Sequence, residues 1–141
     1  MKKTVRLSDF LVSVVTALIA TLIFWHLLPD KTKEDEMVEP RIEMLYGRIP
    51  ESTKRPYFAY GTLTRADTMM RWAEDAEFVG VAELYGFTRD GLTRISEDPK
   101  GVVTGALWLL SESDEAHLDD YEGVSSGLYE KIEVDGVLIY K

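Results

Sequence analysis

Three residue types are missing from this chain of 141 residues: cysteine, asparagine and glutamine. Without cysteine there can be no disulfide, no thiol nucleophile and no thiolate metal site. Without asparagine there is no N-glycosylation acceptor. Histidine is scarce, with His26 inside an apolar run and His117 elsewhere, and no Gly-X-Ser-X-Gly turn exists. A serine or histidine hydrolase therefore has little to build on. Positive charge is also in short supply. Lys and Arg number 16 against 25 Asp and Glu, a net charge of −9. Residues 1–29 carry +2, so the remainder carries −11. Phosphate backbones are bound by clustered Lys and Arg, so an acidic domain of this kind argues against a nucleic-acid partner.

What the chain does have is one long uncharged run, Phe10–Leu28. At 1.5 Å per residue it reaches roughly 28 Å, about the thickness of a bilayer core. Trp25 and His26 stand near its end, where amphipathic rings suit the interface, and Pro29-Asp30 stops the helix. A secretory signal would be shorter and would end in small residues, whereas this run ends Phe24-Trp25-His26-Leu27-Leu28. A soluble core helix would show a polar face. The run predicts a single-pass anchor through residues 10–28, behind a basic flank at 1–9. Lys2, Lys3 and Arg6 precede the span, and Lys31, Lys33 and Arg41 follow it. The bias toward a cytoplasmic N-terminus is therefore small. The side on which the rest of the chain lies stays open.

Residues 29–55 read as a linker or docking segment. Their start, Lys31-Thr32-Lys33-Glu34-Asp35-Glu36, is a solvated charge run. Residues 56–141 carry the signals of one domain. Pro56–Tyr60 is a short apolar strand ending at Gly61. Thr64 is a candidate N-cap for a helix to about Ala76, with Asp67 three residues on. Glu77–Leu84 and Phe87–Ile95 predict two strands separated by Tyr85-Gly86, and Val102–Leu110 predicts another. A short helix starts at Ser113-Asp114-Glu115, with Ala116, Leu118 and Tyr121 as inward positions and Gly123 as its terminator. Leu128–Val134 and Val137–Tyr140 pair across Asp135-Gly136, a two-residue hairpin signal. The sum is an α+β domain, a small, mostly antiparallel β-barrel with two short helices, preceded by one N-terminal transmembrane helix.

Two places carry chemistry. Tyr60-Gly61-Thr62-Leu63 sits where a buried strand meets a helix N-terminus. Free backbone N–H groups and close backbone approach at Gly61 make a cradle for carboxylate or phosphate. Many strand-to-helix turns contain glycine for structural reasons alone. The second place is Leu118-Asp119-Asp120-Tyr121-Glu122-Gly123. Glu122 lies at a helix C-terminus, where the dipole is negative, with Asp119 and Asp120 close by. Both effects raise the pKa of Glu122 toward neutrality, which suits general acid–base work. The plainer reading is a solvated acidic helix end.

Taken in order, Tyr60-Gly61-Thr62-Leu63, then Val103-Thr104-Gly105-Ala106-Leu107-Trp108, then Leu118-Asp119-X-X-Glu122-Gly123 with Leu128-Tyr129, resemble the γ-glutamylcyclotransferase-like superfamily. The AIG2-like and γ-glutamylamine cyclotransferase branches are the nearest in pattern. Tyr85-Gly86-Phe87 followed by Leu92 and Arg94-Ile95 fits as well. The resemblance runs from about Tyr57 to Tyr140. It implies an enzyme without metal or cofactor that cyclises a small γ-glutamyl substrate to 5-oxoproline and releases the attached amine. It implies substrate binding by Tyr60, Gly61, Thr62 and Leu63 and a catalytic general acid–base at Glu122. Tyr129 matches a tyrosine that follows the Glu-Gly motif, either lining the pocket or filling the core. An anchor is not typical of that superfamily. The same fold kept as an inactive, membrane-tethered ligand-binding or regulatory module is the competing expectation.

Overall fold

A computed structural model describes residues 6–27 and 38–141. Lys2 and Lys3 of the basic flank, Leu28 of the expected span, and residues 29–37 of the expected linker lie outside the described residues. The chain divides into two units, Met1–Glu36 and Met37–Lys141.

The first unit holds helix α1, Leu7–Leu27. Both of its threonine hydroxyls are satisfied internally. Thr16 Oγ1 donates to the Val12 carbonyl and Thr21 Oγ1 to that of Ala17, both at 2.8 Å. His26 Nδ1 lies 3.0 Å from the Leu22 carbonyl oxygen. Such self-satisfied polar groups suit apolar surroundings, where an unpaired one is costly. By length and composition the helix can cross a membrane, and an N-terminal signal sequence passes the same test.

The second unit is built on a sheet of six strands in the order β1-β3-β4-β2-β6-β5. The strands are β1 Arg41–Met44, β2 Arg55–Ala59, β3 Glu77–Asp90, β4 Arg94–Leu110, β5 Lys131–Val134 and β6 Val137–Tyr140. Helix α2 is Ala66–Trp72 and α3 is Glu112–Tyr121, with 3-10 turns at Thr62–Thr64 and Val124–Ser126. Successive strand residues face opposite ways, and the central strands bury both faces. Tyr57, Ala59, Ala106, Trp108, Leu138 and Tyr140 pack with Leu63, Met69 and Leu118 from the helical layer. Their neighbours Phe58, Tyr60, Leu107, Val137 and Ile139 pack on the other side with Leu84, Phe87 and Val103.

The expected barrel is a half-barrel with a mixed sheet. β2 and β6 run parallel, with Tyr57 opposite Leu138. The edge strands β1 and β5 do not pair. Instead the Ile42 N–H donates to Asp135 Oδ2 (3.0 Å) at the β5–β6 turn. That turn has the expected hairpin form, with Asp135 and Gly136 both at positive φ.

Several boundaries differ from the sequence expectation. Residues 29–55 are not uniformly a linker, because Arg41–Met44 pairs with β3 as an edge strand. Only Ile42 and Met44 face the core there, too few for a periodic signal. Tyr85-Gly86 does not separate two strands. Gly86 (φ 84°) forms a bulge, the register shifts between Tyr85 and Phe87, and β3 continues to Asp90. The turn comes at Gly91–Thr93, so the expected strand to Ile95 is split between β3 and β4. Helix α2 is shorter than expected and Thr64 does not cap it. The Thr64 hydroxyl donates instead to the Gly61 carbonyl at 2.7 Å, tightening the 3-10 turn. Ala116 is exposed rather than inward. Ser111 caps α3 two residues earlier, so Asp114 and Leu118 share the buried face at i and i+4.

Asp114 is 1% exposed. Its carboxylate accepts from the Ser111 N–H (3.2 Å) and the Asp75 N–H (3.3 Å), and the Ser111 hydroxyl accepts from the Asp114 N–H (3.1 Å). This capping box ties α3 to the turn before β3. Asp114→Ala leaves two backbone donors unpaired and is expected to destabilise the domain by about 2 kcal/mol, read from urea unfolding of residues 38–141.

Candidate active site

The loop after β2 and the end of α3 meet at one cavity of about 330 Å³. Its lining includes all six residues singled out from sequence: Tyr60, Gly61, Thr62, Leu63, Glu122 and Tyr129. The wall also contains Tyr57, Tyr140 and Tyr121, and the rim Leu92, Thr93 and Leu128.

The floor at Gly61 is open. A Cβ built there would meet no protein atom within 4 Å, and its φ of −114° lies outside the left-handed region. Neither left-handed backbone nor packing calls for glycine at this position. What the missing side chain leaves is room for another molecule to approach the backbone. Thr62 and Leu63 begin the 3-10 turn, so their N–H groups have no carbonyl within it. By contrast, Gly105 in β4 is glycine for packing. A Cβ there would collide with the Ala59 carbonyl oxygen and come within 2.6 Å of the Phe58 ring.

Glu122 is the C-cap of α3, its N–H donating to the Leu118 carbonyl at 2.8 Å. Gly123 follows in the left-handed conformation (φ 65°) and reverses the chain. The Leu128 N–H then returns to the Gly123 carbonyl at 3.0 Å, which brings Leu128 and Tyr129 back beside Glu122. Burial among these side chains pushes the Glu122 carboxyl up to about 7. Burial is the cause, and the neighbouring aspartates, expected to contribute, do not. Asp119 is occupied elsewhere: its carboxylate accepts from the Tyr140 hydroxyl (2.7 Å) and from Lys131 Nζ (3.0 Å), and Lys131 also reaches Glu115 (2.7 Å). Asp120 is exposed.

The tyrosines form a connected wall. The Tyr60 hydroxyl donates to the Tyr140 carbonyl at 2.6 Å, and the Tyr57 and Tyr140 rings meet edge to face at 5.5 Å. Burial raises the hydroxyl pKa of Tyr57, Tyr60 and Tyr140, so all three are neutral at physiological pH. Tyr140 commits its proton to Asp119 and keeps its oxygen lone pairs as acceptors. The Tyr129 hydroxyl donates to the Thr93 carbonyl at 2.9 Å, crossing to the β3–β4 turn. Sequence reading missed Tyr57 and Tyr140, which the parallel pairing of β2 with β6 brings to the same wall. Among the described residues, no group of three or more His, Asp or Glu side chains is placed to hold a metal ion.

A family model described as gamma-glutamyl cyclotransferase, AIG2-like, matches residues 57–138. The chain belongs to this family. A Bos taurus gamma-glutamylcyclotransferase is 34% identical over 92 residues, covering 55% of this chain and 49% of that protein. The Homo sapiens gamma-glutamylcyclotransferase is 31% identical over 99 residues, covering 60% and 53%. The chain thus spans about half the length of the curated relatives it matches. Among solved structures, a gamma-glutamyl cyclotransferase superposes with a TM-score of 0.55 at 29% identity, over 62% of this chain and 65% of the other. A Homo sapiens protein solved as uncharacterized gives 0.54 at 28% identity, over 63% and 66%. The family implied by the sequence motifs is the one that matches.

A carboxyl raised by burial costs stability once it ionises. The folded value near 7 lies above the unfolded value near 4.5. Its stabilising contribution is therefore complete below the unfolded value and is lost as pH rises through the folded one. Glu122→Gln cannot ionise and escapes that loss. The variant should match the parent near pH 4 and exceed it by about 1–2 kcal/mol at pH 8.5, a figure discounted for partial exposure. Urea unfolding at the two pH values checks this.

Proposed function

We propose that this chain is a membrane-tethered γ-glutamylcyclotransferase-like enzyme. It cyclises a γ-glutamyl amine or peptide to 5-oxoproline and releases the amine. The observation that carries this reading is a partly buried carboxyl with a pKa of about 7 in the same cavity as the open turn Tyr60–Leu63. Membership in the γ-glutamyl cyclotransferase, AIG2-like family supports it. Helix α1 supplies the tether by its length and composition.

In this reaction, backbone N–H groups of the Tyr60–Leu63 turn hold the γ-glutamyl moiety. Ionised Glu122 takes a proton from the substrate α-amino group. The freed nitrogen lone pair attacks the γ-carbonyl carbon, closing a five-membered ring and forming a tetrahedral intermediate. The bond to the leaving nitrogen then breaks as Glu122 returns its proton there, and the ring nitrogen gives up its second proton through Glu122 to the released amine. No water is consumed, and the products together have the atoms of the substrate. Ring closure within one molecule carries little entropic cost, so a single positioned base suffices. A carboxyl with a pKa near the working pH is suited to both taking and returning a proton.

Residues 38–141 should release 5-oxoproline from a γ-glutamyl compound, with kcat/KM rising as pH passes through about 7. Glu122→Gln should lower kcat at least about 100-fold while retaining a cooperative melt. Gly61→Ala, which places a methyl group in the open floor, should raise KM. Product is measured by chromatography. Thermal stabilisation by γ-glutamyl compounds without any 5-oxoproline would instead mark a ligand-holding module.

A further inference from the structure

The α-amino-acid end of a γ-glutamyl group is a zwitterion. A cavity that holds it must offer N–H donors to the carboxylate and acceptors to the ammonium. The Tyr60–Leu63 turn offers the donors. Glu122 has to receive a proton in the proposed reaction, so a second acceptor is needed to hold the nitrogen while that proton leaves.

Three tyrosine hydroxyls of the cavity lining donate to protein acceptors, and one differs from the others. Those of Tyr60 and Tyr129 donate to backbone carbonyls, at 2.6 and 2.9 Å. That of Tyr140 donates to the Asp119 carboxylate at 2.7 Å. Lys131 Nζ holds Asp119 at 3.0 Å and also reaches Glu115 at 2.7 Å. Two carboxylates share one ammonium, so this partly buried cluster keeps negative charge behind the cavity wall.

A hydroxyl that donates to a carboxylate is a stronger acceptor, because bonds in a chain polarise one another. Burial, and then the bond to Asp119, raise the Tyr140 hydroxyl pKa, so the proton stays on the phenol. With that proton turned to Asp119, the phenol oxygen has only lone pairs left to offer. The ring itself is fixed, 2% exposed and packed edge to face against Tyr57.

We infer that the Tyr140 hydroxyl oxygen accepts a hydrogen bond from the substrate α-amino group, and that Asp119 is the positioning residue that makes it an acceptor. This rests on the cyclotransferase reading above. With one N–H held by Tyr140, loss of another proton to Glu122 exposes the lone pair while the nitrogen keeps its place. No bond to Tyr140 forms or breaks. Without Asp119 the phenol proton is free to turn to the neutral amine and cover the lone pair that must attack.

The test uses the full chain carrying Glu122→Gln, which stops turnover, in detergent micelles. Titration calorimetry compares γ-glutamylethylamide with N-ethylglutaramate, which lacks only the α-amino group. The Glu122→Gln chain should bind γ-glutamylethylamide at least about tenfold more tightly, as a hydrogen bond to a charged group requires. Adding Tyr140→Phe should weaken γ-glutamylethylamide at least about fivefold and leave N-ethylglutaramate within about twofold. This change keeps the Tyr140 carbonyl that Tyr60 uses and the Asp119–Lys131 pair, so the wall stays assembled. Asp119→Ala should reproduce the selective loss. Because Asp119 acts through Tyr140, the two changes together should weaken γ-glutamylethylamide no more than about twofold beyond Tyr140→Phe alone.

A loss shared equally by both compounds on Tyr140→Phe marks a merely structural hydroxyl and overturns the inference. So does no loss, or no binding of either compound. Losses that multiply in the combined variant overturn the role of Asp119. Release of 5-oxoproline by the parent chain is measured separately. Selective binding without that release leaves the Tyr140 assignment standing and removes the cyclisation, and release without selective binding does the reverse.

Discussion

The structure depends on the requirement that β2, β4 and β6 be buried on both faces. A strand in that position needs a hydrophobic partner on each side, and the chain supplies two different ones. The curl of the half-barrel covers Phe58, Leu107 and Ile139, while the helical layer covers Tyr57, Trp108 and Tyr140. The cavity lies where the helical layer gives way to the turn after β2. There the sheet still presents tyrosines, and the cover is supplied by short loops. Glu122 inherits its desolvation from this arrangement. It sits at the end of α3, which Leu118 and Asp114 fix against the sheet.

The central strands were legible because their alternation and apolar content are local properties. So was the Asp135-Gly136 hairpin, which needs positive φ at two adjacent residues. Elements set by partners elsewhere in the chain were not. β1 is a strand only because β3 offers it an edge. Tyr85-Gly86 looks like punctuation, and whether a glycine ends a strand or bulges it is decided by the strand alongside. The parallel β2–β6 pair joins segments far apart in sequence, and no local pattern encodes it.

The site shows the same division. Tyr60–Leu63 and Glu122 were legible as motifs with a chemical reason for their residue types. The reason first given for a raised Glu122 pKa was local, the dipole and two nearby aspartates. The operative cause is burial, which depends on Leu128 and Tyr129 folding back. Asp119, although inside the Leu-Asp-X-X-Glu-Gly motif, is a partner of Lys131 and Tyr140 rather than a repeller of Glu122. A sequence neighbour had been taken for a spatial one. In an acidic domain this distinction matters, because a carboxylate close in sequence can already be committed to a cation elsewhere, as Asp119 is to Lys131.

The parallel pairing of β6 with β2 also makes the cavity wall an assembly of distant segments. Tyr60 and Tyr140, joined by a hydrogen bond in the cavity wall, are 80 positions apart. Contacts of such long range form late, because loop closure must come before they bring any gain. A chain with only β1 to β4 and the helices in place would have an exposed β2 edge and half a cavity wall. The β5–β6 hairpin supplies Tyr140 to the cavity wall that Glu122 shares, so the raised acidity of this carboxyl belongs to the fully paired sheet and not to any local segment.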